Sequence, residues 1–494
     1  MRILLSLTLM LFPLIAGALS HSDGIPYPFY KEDTSAETQM MPLHFGEEAY
    51  QLRLEMIRRA EQTIDVEYYI YNYDMAGKIF TRELVKAAQR GVKVRILVDK
   101  FATELNSFLA HELEAYGIEL KFYNTSFVLN FGSINYRNHR KLIVVDGKEA
   151  VTGGRNMADD YFNLDHKYNY EDRDVYVKGP LAETMRDSFN EFFVHKISKS
   201  SDRPDRPMIT STGRGTDGVA QQRNWDKQVK KAKDFLKETP EELAFRAAIE
   251  KAGNAQLEKN NLYPCPVATF VTDAPGSRKS SDQEYKDKNR NVRKTFLDKI
   301  LPIDKALTLS SPYFIPNDRN EYIFEDLLNR GVELNLYTNS LRSTDALFMS
   351  ANLYLHLKGW LSKGMKVFFN DGKWSERTEA AMESVNTAHW GTHAKTHIYE
   401  TTTYSEVMIG TYNIDNRSDY YNTEMAVFCK GNDDFTQNVK SDVMALATKG
   451  LKVESAGHAL TREGEKINIT GASPFKQLKM KILTYPSWLI SFLL

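Results

Sequence analysis

Two short segments carry an imidazole, an ammonium and a carboxylate in the same order. NHRKLIVVDG (138–147) holds His139, Lys141 and Asp146, and HAKTHIYE (393–400) holds His393, Lys395 and Glu400 at the same three offsets. Side chains two apart on an extended strand project from one face, so each histidine points the same way as its lysine. A small glycine-containing stretch follows each pair: GGRN (153–156) places Asn156, and GTYN (410–413) places Asn413, after backbone that can approach an anion closely. One H-x-K means little, but two in matching places are a sharp signal. His397 competes for the second register, yet only His393 completes H-x-K.

Two histidines, two lysines and two asparagines with no evident metal shell suit phosphoryl chemistry. Ammonium groups and amide donors stabilise the charge on phosphoryl oxygens in a five-coordinate transition state. A neutral imidazole attacks phosphorus, and a protonated one gives its proton to the leaving alkoxide. A carboxylate on the far ring nitrogen fixes the tautomer, the task expected of Asp146. Both histidines must then share one site, which requires the two segments to meet face to face about a pseudo-two-fold axis.

The surrounding elements can do this. Residues 46–60 read as an amphipathic helix, TIDVEYYIY (63–71) as a strand, 76–91 as a helix closed by Gly91, and 92–99 as a strand. This βαβ succession returns at 306–314, 321–331 and 332–338, and QRGVKVRILVD matches NRGVELNLYTN. The expected class is α/β, with domains at 40–195 and 261–450. Between them, residues 196–260 form a charged linker whose helical part is expected to be solvated.

The paired motifs resemble the HKD motifs of the phospholipase D superfamily. SSPYFIP (310–316), TNSLRSTDA (338–346) and NIDNRSDYYNTE (413–424) are similar to its bacterial cardiolipin synthase branch, in the two-domain exported form. The resemblance implies two phospholipase D-like α/β sandwich domains and metal-independent ping-pong chemistry without a cofactor. It makes His139 the nucleophile and His393 the general acid, with Lys141, Lys395, Asn156 and Asn413 holding phosphate. Glu424 and Asp174 fall where the family braces the histidine of the opposite domain, and ordinary surface ion pairs are the alternative. Arg417 and Ser418 lie near the phosphate, with a structural salt bridge preferred for Arg417. The second motif departs from the pattern: Glu400 replaces the aspartate, and three extra residues are expected to lengthen a hairpin around 401–406. The tyrosines at 68, 69 and 71 are expected in the core.

Of 494 residues, 64 are basic and 65 acidic, a balance that counts against a nucleic-acid groove. Residues 1–20 have the pattern of a secretory signal, with Ala18-Leu19-Ser20 as the cleavage motif, so the chain is expected to be exported, periplasmic or secreted. Cys265 and Cys429 can pair in that setting, although spacing does not say whether they are close. The extension 451–494, with Lys476, Lys479, Lys481 and Trp488 and a break at Pro486, suits a membrane surface or docking on its own core. No obligate protein partner is readable. Phosphatidyl transfer to a lipid alcohol is the leading expectation. Hydrolysis as a phospholipase D, a nuclease-like phosphodiesterase and a non-catalytic lipid-binding scaffold are the alternatives.

Overall fold

A computed structural model describes residues 24–125, 136–201, 204–207, 217–276, 290–375, 383–455, 457–469 and 472–489. The expected signal segment, 1–20, and the last five residues lie outside them. Each repeat builds one mixed sheet from the same parts. In the first, strands Thr63–Tyr68, Lys93–Asp99 and Glu119–Tyr123 run parallel, joined by helices Met75–Gln89 and Ser107–Glu114. On the other side of Thr63–Tyr68 lie antiparallel strands Leu142–Val145, Glu149–Gly153, Asp174–Lys178 and Gln39–Leu43. The second sheet repeats this order with Ala306–Ser310, Glu333–Asn339 and Lys366–Asn370 parallel, then Thr396–Glu400, Ser405–Gly410, Met425–Lys430 and Val267–Thr272 antiparallel.

Strand periodicity decides which layer each residue enters. Ile143 and Val145 face the outer core with helices Gly46–Arg59 and Met75–Gln89, while Leu142 and Val144 face the other sheet. There they meet Ile398, Val407, Ile409 and Val427, together with Phe189 and Phe192 of helix Pro180–Val194. A continuous apolar layer thus joins the two sandwiches. The chain also crosses between them: Tyr30–Asp33 adds to Val267–Thr272, and Tyr263–Pro264 adds to Gln39–Leu43.

Two expectations change. Among the described residues of 196–260 the expected solvated helix is partly docked: Ser198–Ser200 pairs with the sheet edge, and helices Asp217–Phe235 and Pro240–Leu257 bury Ala232, Phe235 and Ile249. The helix Pro240–Leu257 comes so close to Gly46–Arg59 that a Cβ on Gly253 would lie 2.6 Å from that of Gln51. In the C-terminal extension, Leu451–Ser455, His458–Leu460 and Lys466–Asn468 widen the second sheet. Helix Pro474–Leu489 then continues past Pro486.

Cys265 and Cys429 form a disulfide, their Cα atoms 5.6 Å apart across a sequence separation of 164. It ties the start of Val267–Thr272 to the neighbouring strand Met425–Lys430 and closes a long loop, which constrains the unfolded chain. Replacing both cysteines by serine is expected to cost about 2–4 kcal/mol. Thermal unfolding should show a lower apparent Tm that reductant does not change further. An unaltered Tm would contradict this contribution.

Candidate active site

Each histidine sits just outside a strand, where a backbone pairing to the other repeat holds it. In the first copy Asn138 forms a parallel bridge with Thr423, and His139 N donates to Thr423 O at 3.0 Å. In the second, His389–Thr392 pairs in parallel with Tyr168–Glu171, and His393 N donates to Glu171 O at 2.8 Å. The residue after each acceptor is an acid that reaches the facing imidazole. Glu424 contacts His139 Nδ1 at 2.9 Å, and Asp172 contacts His393 Nδ1 at 2.7 Å. Both acids are buried, at 0 % and 3 % exposure, and each imidazole is assigned the tautomer in which Nδ1–H donates to the acid of the opposite repeat.

The ends of the parallel strands support the same construction twice. Asp99 accepts from Asn138 N at 2.9 Å, and at the matching position Asn339 accepts from Thr392 N at 2.8 Å. The lysines lie beside their histidines as strand geometry demands. Lys141 Nζ donates to His139 O at 2.7 Å, and Lys395 Nζ donates to His393 O at 2.6 Å and to Nε2 at 3.0 Å. Lys395 Nζ is also 2.9 Å from Nδ1, but that nitrogen's proton already goes to Asp172.

Burial and like charge set the protonation of this cluster. Burial, then Lys141, Lys395 and His393, hold His139 well below its usual 6.5. Burial and Lys395 bring Lys141 down to about 7, and burial brings Lys395 down to about 8. The two acids diverge. Burial raises Glu424 to about 7, against the pull of Lys141, Thr411 and Ser418. Burial also acts on Asp172, but His393, Lys395 and Arg155 overcome it and hold this acid at about 2. His393 itself is lowered by burial and Lys395, with Asp172 pulling the other way. Such opposed environments push paired groups toward different protonation states.

Several expected residues stand elsewhere. Asp146 does not reach His139. It lies in the turn after Leu142–Val145, where its carboxylate accepts the backbone N–H groups of Glu61, Gln62 and Thr63 at 2.8–3.0 Å. Glu400 pairs with Lys440 at 2.6 Å rather than orienting His393. Asp174 pairs with Arg53 at 2.8 Å and Arg155 at 3.5 Å, while Asp172 takes the bracing position. The glycines of the first motif approach these carboxylates: a Cβ on Gly154 would lie 2.0 Å from Asp172 Oδ1, and one on Gly153 2.3 Å from Asp174 Oδ1. The anions that this tight backbone admits are therefore the protein's own.

Glu424 braces His139 and is itself held by Ser418 Oγ at 2.8 Å and by Thr411 Oγ1. Ser418 thus positions an acid. The structural salt bridge preferred for Arg417 is absent among the described residues; its charge instead acts on His139 and on Tyr69. Asn156 Oδ1 accepts from Ile70 N at 3.1 Å, whereas the buried Asn413 Oδ1 has no hydrogen-bond partner among the described residues. Tyr68 and Tyr71 are core residues, but the Tyr69 ring meets the His139 ring at 5.2 Å, and Tyr161 and Tyr170 meet that of His393 at 5.2 and 5.0 Å. His397 is buried inside Thr396–Glu400, 3.1 Å from Tyr399 Oη. The three extra residues of the second motif lengthen both hairpin strands and the turn by one residue each. Among the described residues, no group of three or more His, Cys, Asp or Glu is arranged to hold a metal ion.

Known proteins share this organisation. A family model described as cardiolipin synthase, PLD-like domain, matches residues 54–193 and 300–446. An uncharacterized protein of Helicobacter pylori is 28 % identical over 404 residues, 78 % of this chain and 74 % of that one. Cardiolipin synthase C of Escherichia coli is 26 % identical over 404 residues, 78 % of this chain and 80 % of its own. The crystal structure of phosphatidylserine synthase from Haemophilus influenzae superposes with a TM-score of 0.62 at 14 % identity, covering 94 % of this chain and 97 % of that one, and so shows a common fold.

Nitrogen-15 spectra of labelled histidine test the electrostatic arrangement. His139 is expected to remain the neutral Nδ1–H tautomer as the pH falls through the ordinary histidine range. An imidazolium at His139 near pH 6 would contradict the assignment. Gly154→Ala should displace Asp172, changing the His393 signals while leaving those of His139 in place. Unchanged His393 signals would show that the Gly154 contact is not what admits the acid.

Proposed function

We propose that this chain, which belongs to the cardiolipin synthase, PLD-like domain family, transfers a phosphatidyl group from one phospholipid to a lipid alcohol through a covalent intermediate on His139. The observation that carries this reading is the divergence of the two histidine–carboxylate pairs. Beside Glu424, raised to about 7, His139 stays neutral with its Nε2 lone pair free to attack phosphorus. Beside Asp172, ionised throughout the physiological range, His393 has the partner that stabilises an imidazolium.

In the first step a P–N bond forms to His139 Nε2 as the P–O bond to the donor alcohol breaks, and the departing oxygen takes a proton from His393. In the second step His393 takes the proton of the acceptor hydroxyl, whose oxygen forms the new P–O bond as the P–N bond breaks. His393 Nε2 lies against the Lys395 ammonium. An arriving phosphodiester anion competes for that ammonium and for Lys141, raises the affinity of all these groups for protons, and frees Nε2 to carry one. Arg417 and the Nδ2–H group of Asn413 are placed to donate to the nonbridging oxygens. The disulfide and the N-terminal signal pattern support an exported, periplasmic or secreted setting.

Product analysis by mass spectrometry tests the reaction, with the mature chain acting on mixed phosphatidylglycerol and phosphatidylethanolamine vesicles. Cardiolipin is expected. Phosphatidic acid alone would assign hydrolysis, and no lipid product would contradict the reading. Leaving-group dependence tests the roles. His139→Ala should abolish turnover of every phosphodiester. His393→Ala should lose about 10²–10⁴-fold with an alkyl leaving group, but far less with p-nitrophenolate, which departs without a proton. Equal losses with both leaving groups would contradict the acid role of His393.

A further inference from the structure

The C-terminal helix Pro474–Leu489 lies beyond the family match and carries two unlike faces. Met480 is buried against Leu341 and Ala351, so this side docks on helix Leu347–Ser362. Phe475, Leu478 and Ile482, at positions i, i+3 and i+7, are 67 %, 56 % and 63 % exposed. Leu355, one turn beyond Ala351 on the neighbouring helix, is also 45 % exposed. Lysines 479 and 481 are exposed along the same helix, and the Lys479 ammonium lies 4.5 Å above the Phe475 ring. Residues 473–494 contain three lysines and no Asp or Glu. Among the described residues, no helix is long and apolar enough to cross a membrane.

We propose that this face docks onto the surface of an anionic phospholipid bilayer and turns the His393 side of the site toward the lipid. Phe475, Leu478 and Ile482 enter the interface while Lys479 and Lys481 meet the acidic headgroups. A protein partner would have to neutralise lysines interleaved with the apolar side chains, whereas a bilayer offers hydrocarbon and negative charge at the depths these residues need. The opposite side of the helix reaches the catalytic rim. Lys476 Nζ lies within 3.5 Å of Arg342 O and Thr344 O and in the field of Asp345. Asp345 accepts from Tyr170 Oη at 2.8 Å and Tyr313 Oη at 3.1 Å, and the Tyr170 ring packs on His393. A bilayer touching the helix is thus a few side chains from the acid histidine. Only the purpose of this orientation, lipid delivery, rests on the proposed transferase reading.

Co-sedimentation of the full mature chain with vesicles tests the docking. Binding to phosphatidylglycerol–phosphatidylcholine vesicles should exceed binding to phosphatidylcholine alone by about tenfold and weaken with salt. A variant combining Phe475→Glu, Leu478→Glu and Ile482→Glu should lose about tenfold or more of that binding. It should also turn over vesicular lipid more slowly while cleaving a water-soluble p-nitrophenyl phosphodiester at the wild-type rate. Vesicle binding equal to wild type in this variant would overturn the proposal, as would a wild-type chain that ignores anionic vesicles. A change in oligomeric state with vesicle binding retained would also overturn it, by assigning the face to a second copy. If vesicle binding is lost as expected but the wild type cleaves no phosphodiester, the docking stands and the transferase reading falls.

Discussion

Each histidine is held by a parallel backbone pairing to the other repeat, and the active site depends on these two pairings. Thr423 O receives His139 N, Glu171 O receives His393 N, and the next residue in each case turns a buried carboxylate onto the facing imidazole. Neither repeat contains a complete site. The apolar layer that joins the sheets, and the strand that each half lends to the other, therefore do more than add stability. They set the inter-repeat register to within a hydrogen bond, as the histidine–acid contacts require.

Bringing the repeats together concentrates positive charge. Lys395 weakens the hold of Lys141 on its proton, and both lysines act with burial to keep His139 neutral. The two acids answer differently. Glu424 is drawn toward protonation by burial, whereas Asp172 is kept ionised by His393, Lys395 and Arg155. A pseudo-symmetric scaffold thereby becomes electrostatically asymmetric, which is what a nucleophile and an acid in one site demand. On the proposed reading a phosphodiester anion would relieve the crowding of cations, linking substrate binding to the activation of the site.

The repeated α/β unit and both His–Lys pairs were legible because strand periodicity and duplicated spacing are local properties. The acids were harder to read. Asp146 and Glu400 follow their histidines at the expected offset, yet hairpin geometry carries them to turns and edges, where Asp146 caps three backbone N–H groups and Glu400 meets Lys440. Asp172 was missed by two residues because Asp174 lies on the same side of an extended chain, so alternation does not distinguish them. Strand pairing does: Gly153 faces Asp174 and Gly410 faces Ala426, which makes Asp172 the counterpart of Glu424. Counting along the chain does not reveal it, because Asp172 lies 16 residues after Asn156 and Glu424 only 11 after Asn413. Tyr69 was misplaced for a different reason, since the end of strand Thr63–Tyr68 and the residues just after it supply both core tyrosines and a ring against His139.

The central claim is that these crossed carboxylates give the two histidines different tasks. Rapid quenching during turnover, followed by peptide mapping of the phosphorylated protein under alkaline conditions, tests it most directly. The account predicts a phosphoryl adduct on the peptide containing His139 and none on that containing His393. An adduct on His393, or on both histidines equally, would contradict the asymmetry on which the account rests.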